Sequence, residues 1–138
     1  MDTEPINVES LTQEGANLAA GFITFQLDDG VEVTITERLD FNPFPPGGGL
    51  MLGRWGANSI ELSYPGSPIN VAQKAIYKKD FTDPYLPWAF VMDGLKYFAT
   101  KGVVNFKLQN GVDAVKGSYE FETEDDHKVK GTFDLKTG

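Results

Sequence analysis

The chain has 138 residues, no cysteine and a formal net charge of −8, from 20 acidic and 12 basic side chains. This length fits one domain, and the 41% hydrophobic content lies above the range of disordered chains. The lack of cysteine excludes disulfides and Cys-ligated metals, and the acidic balance argues against nucleic-acid binding, which needs clustered cations. Apolar runs are too short for membrane insertion. We predict one soluble domain over residues 1–138.

The first ten residues are polar, and we predict that they form a flexible arm ahead of the domain. They lack the basic start and apolar stretch of a signal peptide, so the sequence as written predicts a cytoplasmic protein. A mature exported form is the alternative if a signal peptide has been removed. One short helix is allowed within residues 10–20 or 69–79, although 69–79 also fits a strand.

Alternating apolar and polar residues predict β-strands over most of the remaining chain. Residues 22–27 and 31–36 flank the turn Asp28-Asp29-Gly30, which is the pattern of a hairpin. Further strands are predicted at 50–52, 59–64, 88–99 with a break at Asp93-Gly94, 103–108, 112–122 and 128–136. The fold class is therefore all-β, an antiparallel β-sandwich or a partly open β-barrel of about eight strands.

Two stretches near the C-terminus, residues 115–122 and 129–136, repeat one pattern. Their spacing is too short for a solenoid, so we interpret them as adjacent strands of one sheet. Gly117 and Gly131 are predicted to mark bulges or close backbone approaches. The side chains predicted to face the core are those of Tyr119, Phe121, Phe133 and Leu135.

The same stretches carry a resemblance to a known group of proteins. The chain reads LGRWGANSIELSYPG from Leu52, then Gly117-Ser118-Tyr119-Glu120-Phe121, a polar turn and Gly131-Thr132-Phe133-Asp134. Over residues 50–136 this resembles small bacterial all-β proteins of unknown function that end in a G-x-F-x-F and G-x-F-D hairpin. Many of that group are exported lipoproteins, whereas this sequence lacks the lipobox cysteine. The resemblance implies a sandwich or small barrel and assigns no functional residue.

Neither catalysis nor a metal site is predicted from the titratable residues. His127 is the only histidine, and we interpret it as an exposed residue of the turn that contains Glu124-Asp125-Asp126. Calcium at this turn or at Asp28-Asp29 stays open, although neither turn has the spacing of a calcium-binding loop. No catalytic residue and no cofactor are predicted.

Aromatic residues in or beside loops are the feature that most suggests a function. Phe44 and Tyr85 lie in the proline-containing stretches 40–49 and 80–87, both predicted as loops. Rings held by prolines supply contact area at a small entropy cost. We therefore predict a non-enzymatic module that binds a protein partner through Phe44, Trp55, Tyr85 and Trp88. The alternative for loop aromatics is that they fold back and cap the open end of the sandwich. The alternatives are a carrier that holds a small apolar ligand in a barrel cavity and, ranked below it, an unrecognised enzyme.

Overall fold

The computed structural model describes residues 19–44, 48–66, 70–81, 87–109 and 113–137. Within these ranges the protein is all-β, with antiparallel strands and no helix, which confirms the predicted fold class. The strands are β1 (Ala19–Leu27), β2 (Val33–Ile35), β3 (Arg38–Phe44), β4 (Gly48–Trp55), β5 (Asn58–Tyr64), β6 (Gln73–Ile76), β7 (Ala89–Met92), β8 (Leu95–Gln109), β9 (Ala114–Thr123) and β10 (Lys128–Thr137).

The strands form one sheet that curls into a nearly closed barrel. Their order is β2-β1-β10-β9-β8-β7-β5-β4-β3, and β6 pairs with β8 beside this path. The end strands β2 and β3 are consecutive in the chain, so one segment passes from a ladder with β1 to a ladder with β4. β2 pairs only with Ile23–Phe25 of β1, and the barrel keeps one unsealed seam between the ends of this order.

Strand β8 connects the two halves of the barrel. Leu95–Phe98 of β8 pair with β7, whereas Val103–Phe106 of β8 pair with β6 on the same side of the strand. A register irregularity between Ala99 and Lys101 separates these two halves. Because such irregularities bend a strand, β8 can serve both neighbours. Residues 103–108, predicted as a separate strand, are thus the second half of one long strand.

Buried apolar side chains of the described strands pack together inside the barrel. Inward glycines leave room for large neighbours, as at Gly131, which lies directly opposite Tyr119. A Cβ at Gly117 would lie 1.8 Å from the carbonyl oxygen of Asn105, and one at Gly131 would lie 2.0 Å from that of Thr24. The predicted close backbone approaches are confirmed.

Of the helix and the strand that the sequence allows within 69–79, the structure has the strand: residues 70–79 contain β6 and a turn, because Ala75 faces the core between the outward side chains of Lys74 and Ile76. The prediction of a loop over 40–49 was wrong for residues 40–44 and 48–49. Residues 40–44 belong to β3 rather than to a loop, and Pro43 pairs with Gly49. Proline is tolerated there because β3 is at the end of the strand order and pairs with β4 on one side only. On its other side a backbone N–H is not required for a ladder hydrogen bond. The other helix prediction covers residues 10–20: residues 10–18 lie outside the described residues, and Ala19 and Ala20 begin β1.

Candidate functional site

The four aromatic residues predicted to bind a partner do not form one patch. Trp88 is fully buried, with 0% of its surface exposed. Its indole Nε1–H donates to the carbonyl oxygen of Ser63 at 3.0 Å, and its ring stacks on Tyr77 at a centroid distance of 4.5 Å. Trp88 therefore acts as a core residue in this fold, and its ring offers no surface to a partner.

The other three residues are dispersed. Phe44 ends β3, where it pairs with Gly48, and its side chain is outside the described part of the protein. Trp55 is at the other end of β4, seven residues along the strand from Gly48, the partner of Phe44. At the rise of a β-strand, these two ends of β4 are about 23 Å apart. Tyr85 is outside the described residues. Trp55 is half-buried and remains the one predicted residue with a described, partly exposed ring.

One end of the barrel gathers four hairpin turns, which we call the turn end: residues 28–32, 56–57, 93–95 and 124–127. The turns are tied in pairs. Asp93 N–H donates to the Asn58 Oδ1 at 3.3 Å, and Lys128 N–H donates to the Asp28 Oδ1 at 2.7 Å. These bonds fix the turns of β4–β5 and β7–β8, and of β1–β2 and β9–β10, to each other.

Aromatic rings close the barrel at the turn end. Phe25 and Phe90 are buried with ring centroids 5.6 Å apart. Trp55 packs on Phe25 at 5.0 Å, and Tyr97 stacks on Phe90 at 4.7 Å. The imidazole of His127 meets Tyr97 edge-on at 5.3 Å. We call these five rings the aromatic plug; its outer members Trp55, Tyr97 and His127 are half-buried.

His127 is held by a carboxylate. Its Nδ1 and the Asp28 Oδ2 are 2.6 Å apart, and its ring meets Phe90 edge-on at a centroid distance of 6.3 Å. The backbone N–H of Lys128 and, next, the imidazole of His127 hydrogen-bond Asp28 and hold the pKa of that carboxyl below its ordinary value. The pair fastens the β1–β2 turn to the β9–β10 turn.

The geometry gives the His127–Asp28 pair no catalytic partner. A histidine base needs a nucleophile or a substrate proton within hydrogen-bond reach. Within the described ranges, Asp28 is the hydrogen-bond partner of the imidazole. The same ranges contain no group of three or more His, Asp or Glu side chains placed to hold a metal ion. Within these ranges the contact between His127 and Asp28 fastens two turns.

Two apolar side chains stand out at the turn end. Val31 in the β1–β2 turn is 88% exposed, and Leu95 in the β7–β8 turn is 60% exposed. These exposed side chains and the half-buried plug rings thus occur at the same end of the barrel. The exposed acidic residues of these turns are Asp28, Asp29, Glu32, Asp93, Glu124, Asp125 and Asp126.

A second unusual group is the buried carboxylate of Asp40 on β3. It is 2% exposed, and neither oxygen has a hydrogen-bond partner among the described residues. Burial raises the pKa of Asp40, and the Arg38 guanidinium, whose Nε lies 3.6 Å away, opposes that rise. A single carboxyl without a second titratable group of opposite role does not make an acid–base pair. Burial of this carboxylate without hydrogen bonds costs folding free energy when the group is ionised.

Sequence reasoning missed His127 and Tyr97. The acidic turn beside His127 suggested solvent, whereas the imidazole is half-buried and bonds a residue 99 positions away. That contact exists because β10 pairs with β1, with Leu27 opposite Val129. No local pattern encodes this pairing. Tyr97 lay within a predicted strand, but its place in the plug depends on the ladder with Phe90.

Comparison with family models, with curated proteins and with solved structures finds no match to this chain. The resemblance to small bacterial β proteins therefore stays a prediction. Among the described residues no helix is long and apolar enough to cross a membrane. The function has to be argued from the site itself.

Proposed function

We propose that this protein is a non-enzymatic binding module that contacts a protein partner through the turn end. The observation that supports it is the exposure of Val31 and Leu95 at the same end of the barrel as the half-buried rings of Trp55 and Tyr97. Neither Val31 nor Leu95 is part of the barrel core. Apolar and aromatic side chains held on tied turns are suited to the centre of an interface.

The chemistry of the turn end also indicates the kind of partner. Its turns carry exposed carboxylates, among them Asp29, Asp93 and Glu124. An apolar centre with a negative rim matches a partner surface that is apolar in the middle and basic around it. The rim charges are solvated, so they would speed association at low salt more than they would add affinity.

The carrier alternative requires a cavity within the barrel. The described inward positions hold large packed side chains such as Phe25, Phe41 and Trp88, which supports the interaction module over the carrier. The carrier remains a prediction that native mass spectrometry of protein from its own source would test. A co-purifying small molecule of constant mass would favour the carrier over our proposal.

The test of the proposed function compares two double variants as immobilised baits in an extract of the source cells. V31S/L95S removes apolar surface from the turn end, and V71S/I76S does the same at exposed positions 47% and 40% accessible near β6. We expect one protein to bind the wild type and V71S/I76S, to be lost with V31S/L95S, and to elute earlier at higher salt. Equal binding to both variants, or no retained protein, would contradict the proposal.

A further inference from the structure

Three lysines surround Asn105 on the outer face of the barrel. Asn105 on β8 pairs with Lys74 on β6, and Lys107 lies two residues further along β8 on the same face. Lys107 pairs with Lys116 on β9. Directly opposite residues have Cβ atoms about 5 Å apart, and diagonal neighbours about 7 Å. The register therefore brings the three lysine stems around one amide side chain.

This arrangement has an electrostatic cost. Like charges directly opposite each other destabilise a sheet, and Lys107 and Lys116 are such a pair. Two exposed lysines elsewhere have carboxylate partners: Lys96 has Glu61 at 3.0 Å, and Lys101 has Glu122 at 3.7 Å.

None of the three lysines around Asn105 has a carboxylate within ion-pair distance in the part of the chain that the structure describes. In a chain of net charge −8, such a cluster is a local exception to the overall charge. A bound anion would remove the repulsion between Lys107 and Lys116.

The lysines line a surface depression of about 620 Å³. Next to Lys116 across the ladder lies Asp134, and next to Asp134 lies the half-buried ring of Phe22 on β1. All of these line the depression, together with Asn105. Along this row the groups change from cations to a hydrogen-bond acceptor and then to an aromatic ring.

We propose that this depression binds a hydroxylated organic anion, with the chemistry of a sugar phosphate or sugar acid. Its anionic group lies between Lys107 and Lys116, with Lys74 and the Asn105 amide as further donors. A ligand that reaches from there to Phe22 passes Asp134, whose carboxylate accepts a hydrogen bond and repels a second negative charge. A hydroxyl satisfies that position, and an apolar ring face packs on Phe22.

The experiment is an NMR titration of the ¹⁵N-labelled chain with glucose 6-phosphate, and separately with inorganic phosphate and with glucose. We expect saturable shifts at residues 105–107, 116 and 134 with glucose 6-phosphate, and at least tenfold weaker binding of each other probe. K107Q/K116Q should abolish the shifts, whereas K128Q/K130Q, which removes the same charge from the same face outside the depression, should retain them.

Each other outcome counts against part or all of the proposal. Equal affinity for phosphate and glucose 6-phosphate would overturn the roles of Asp134 and Phe22. Equal loss in both double variants would mean general charge attraction and overturn the site. No saturable shift with any probe would do the same. K107Q/K116Q should remain folded, because removing two like charges that lie opposite each other should leave the unfolding midpoint unchanged or raise it.

Discussion

Tyr119 donates its buried hydroxyl to the carbonyl oxygen of Thr24 at 2.7 Å, across the glycine that separates their strands. Tyr119 is on β9 and Thr24 is on β1, with Gly131 of β10 between them. A Cβ at Gly131 would lie 2.8 Å from that hydroxyl, so the glycine makes the bond possible. A side chain here links two strands that have no ladder between them among the described residues.

Tyr119→Phe and Tyr64→Phe remove the same atom with opposite expected results. The Tyr119 hydroxyl is hydrogen-bonded, whereas the Tyr64 hydroxyl is buried and has no hydrogen-bond partner in the described part of the chain. Loss of this hydroxyl removes a hydrogen bond to the Thr24 carbonyl, so Tyr119→Phe should lower the free energy of unfolding by about 1–2 kcal/mol. Tyr64→Phe should leave it unchanged or raise it. Urea denaturation of both variants checks this, and an equal loss in both would contradict it.

Gly117→Ala should be far more harmful than Gly66→Ala. A methyl group at Gly117 would lie 1.8 Å from the backbone oxygen of Asn105, so the β8–β9 ladder would have to move. A methyl group at Gly66 meets nothing within 4 Å. We expect Gly117→Ala to cost more than about 3 kcal/mol and Gly66→Ala to cost under about 0.5 kcal/mol in urea denaturation. A stable Gly117→Ala variant would show that the ladder has room there.

The sequence was sufficient for the fold class and for individual strands because side-chain alternation is a local property. It located the hairpin around Asp28-Asp29-Gly30 and the inward glycines Gly117 and Gly131 for this reason. It could not show that β10 pairs with β1, which depends on contacts about a hundred residues apart. The position of His127 beside Asp28 follows from that pairing.

The aromatic residues show the same limit. Trp55 and Trp88 both lie near glycine or proline, so their sequence surroundings gave no way to separate a half-buried ring from a fully buried one. The ladder registers make the difference, since Trp55 ends β4 at the turn end and Trp88 enters the barrel between Ser63 and Tyr77. The prolines in 40–49 predicted a loop, because the sequence does not show that β3 is an end strand, where proline is tolerated.

Asp28→Asn should remove a contribution to stability that depends on pH. The pKa of Asp28 is lowered in the folded state, so its bonds to Lys128 N–H and His127 stabilise the fold above the unfolded pKa near 3.8. That contribution is lost as pH falls through the folded pKa. The wild type should thus exceed Asp28→Asn in unfolding free energy at pH 5, and the difference should shrink towards pH 2. A difference that does not change over this range would contradict the linkage.

For Asp40→Asn, the difference in unfolding free energy between wild type and variant should change with pH in the opposite direction. Burial raises the pKa of Asp40 above its unfolded value of 3.8, so between the two values the folded chain binds more protons than the unfolded chain. The stability of the wild type relative to Asp40→Asn should therefore fall as pH rises from about 3 through the folded pKa. Ionised Asp40 keeps only the contact with Arg38, which does not satisfy its buried oxygens.

The measurement is the unfolding free energy of Asp40→Asn and the wild type from pH 3 to 7, with Asp28→Asn in the same series. Asp28→Asn is the matched control because it makes the same substitution at an exposed carboxyl whose pKa is shifted the other way. Burial at Asp40 disfavours the charged carboxylate, whereas hydrogen bonding at Asp28 favours it. If the two stability differences changed with pH in the same direction, these two pKa shifts could not be opposite. Opposite slopes would identify Asp40 as a buried charge that the fold tolerates at a cost near neutral pH.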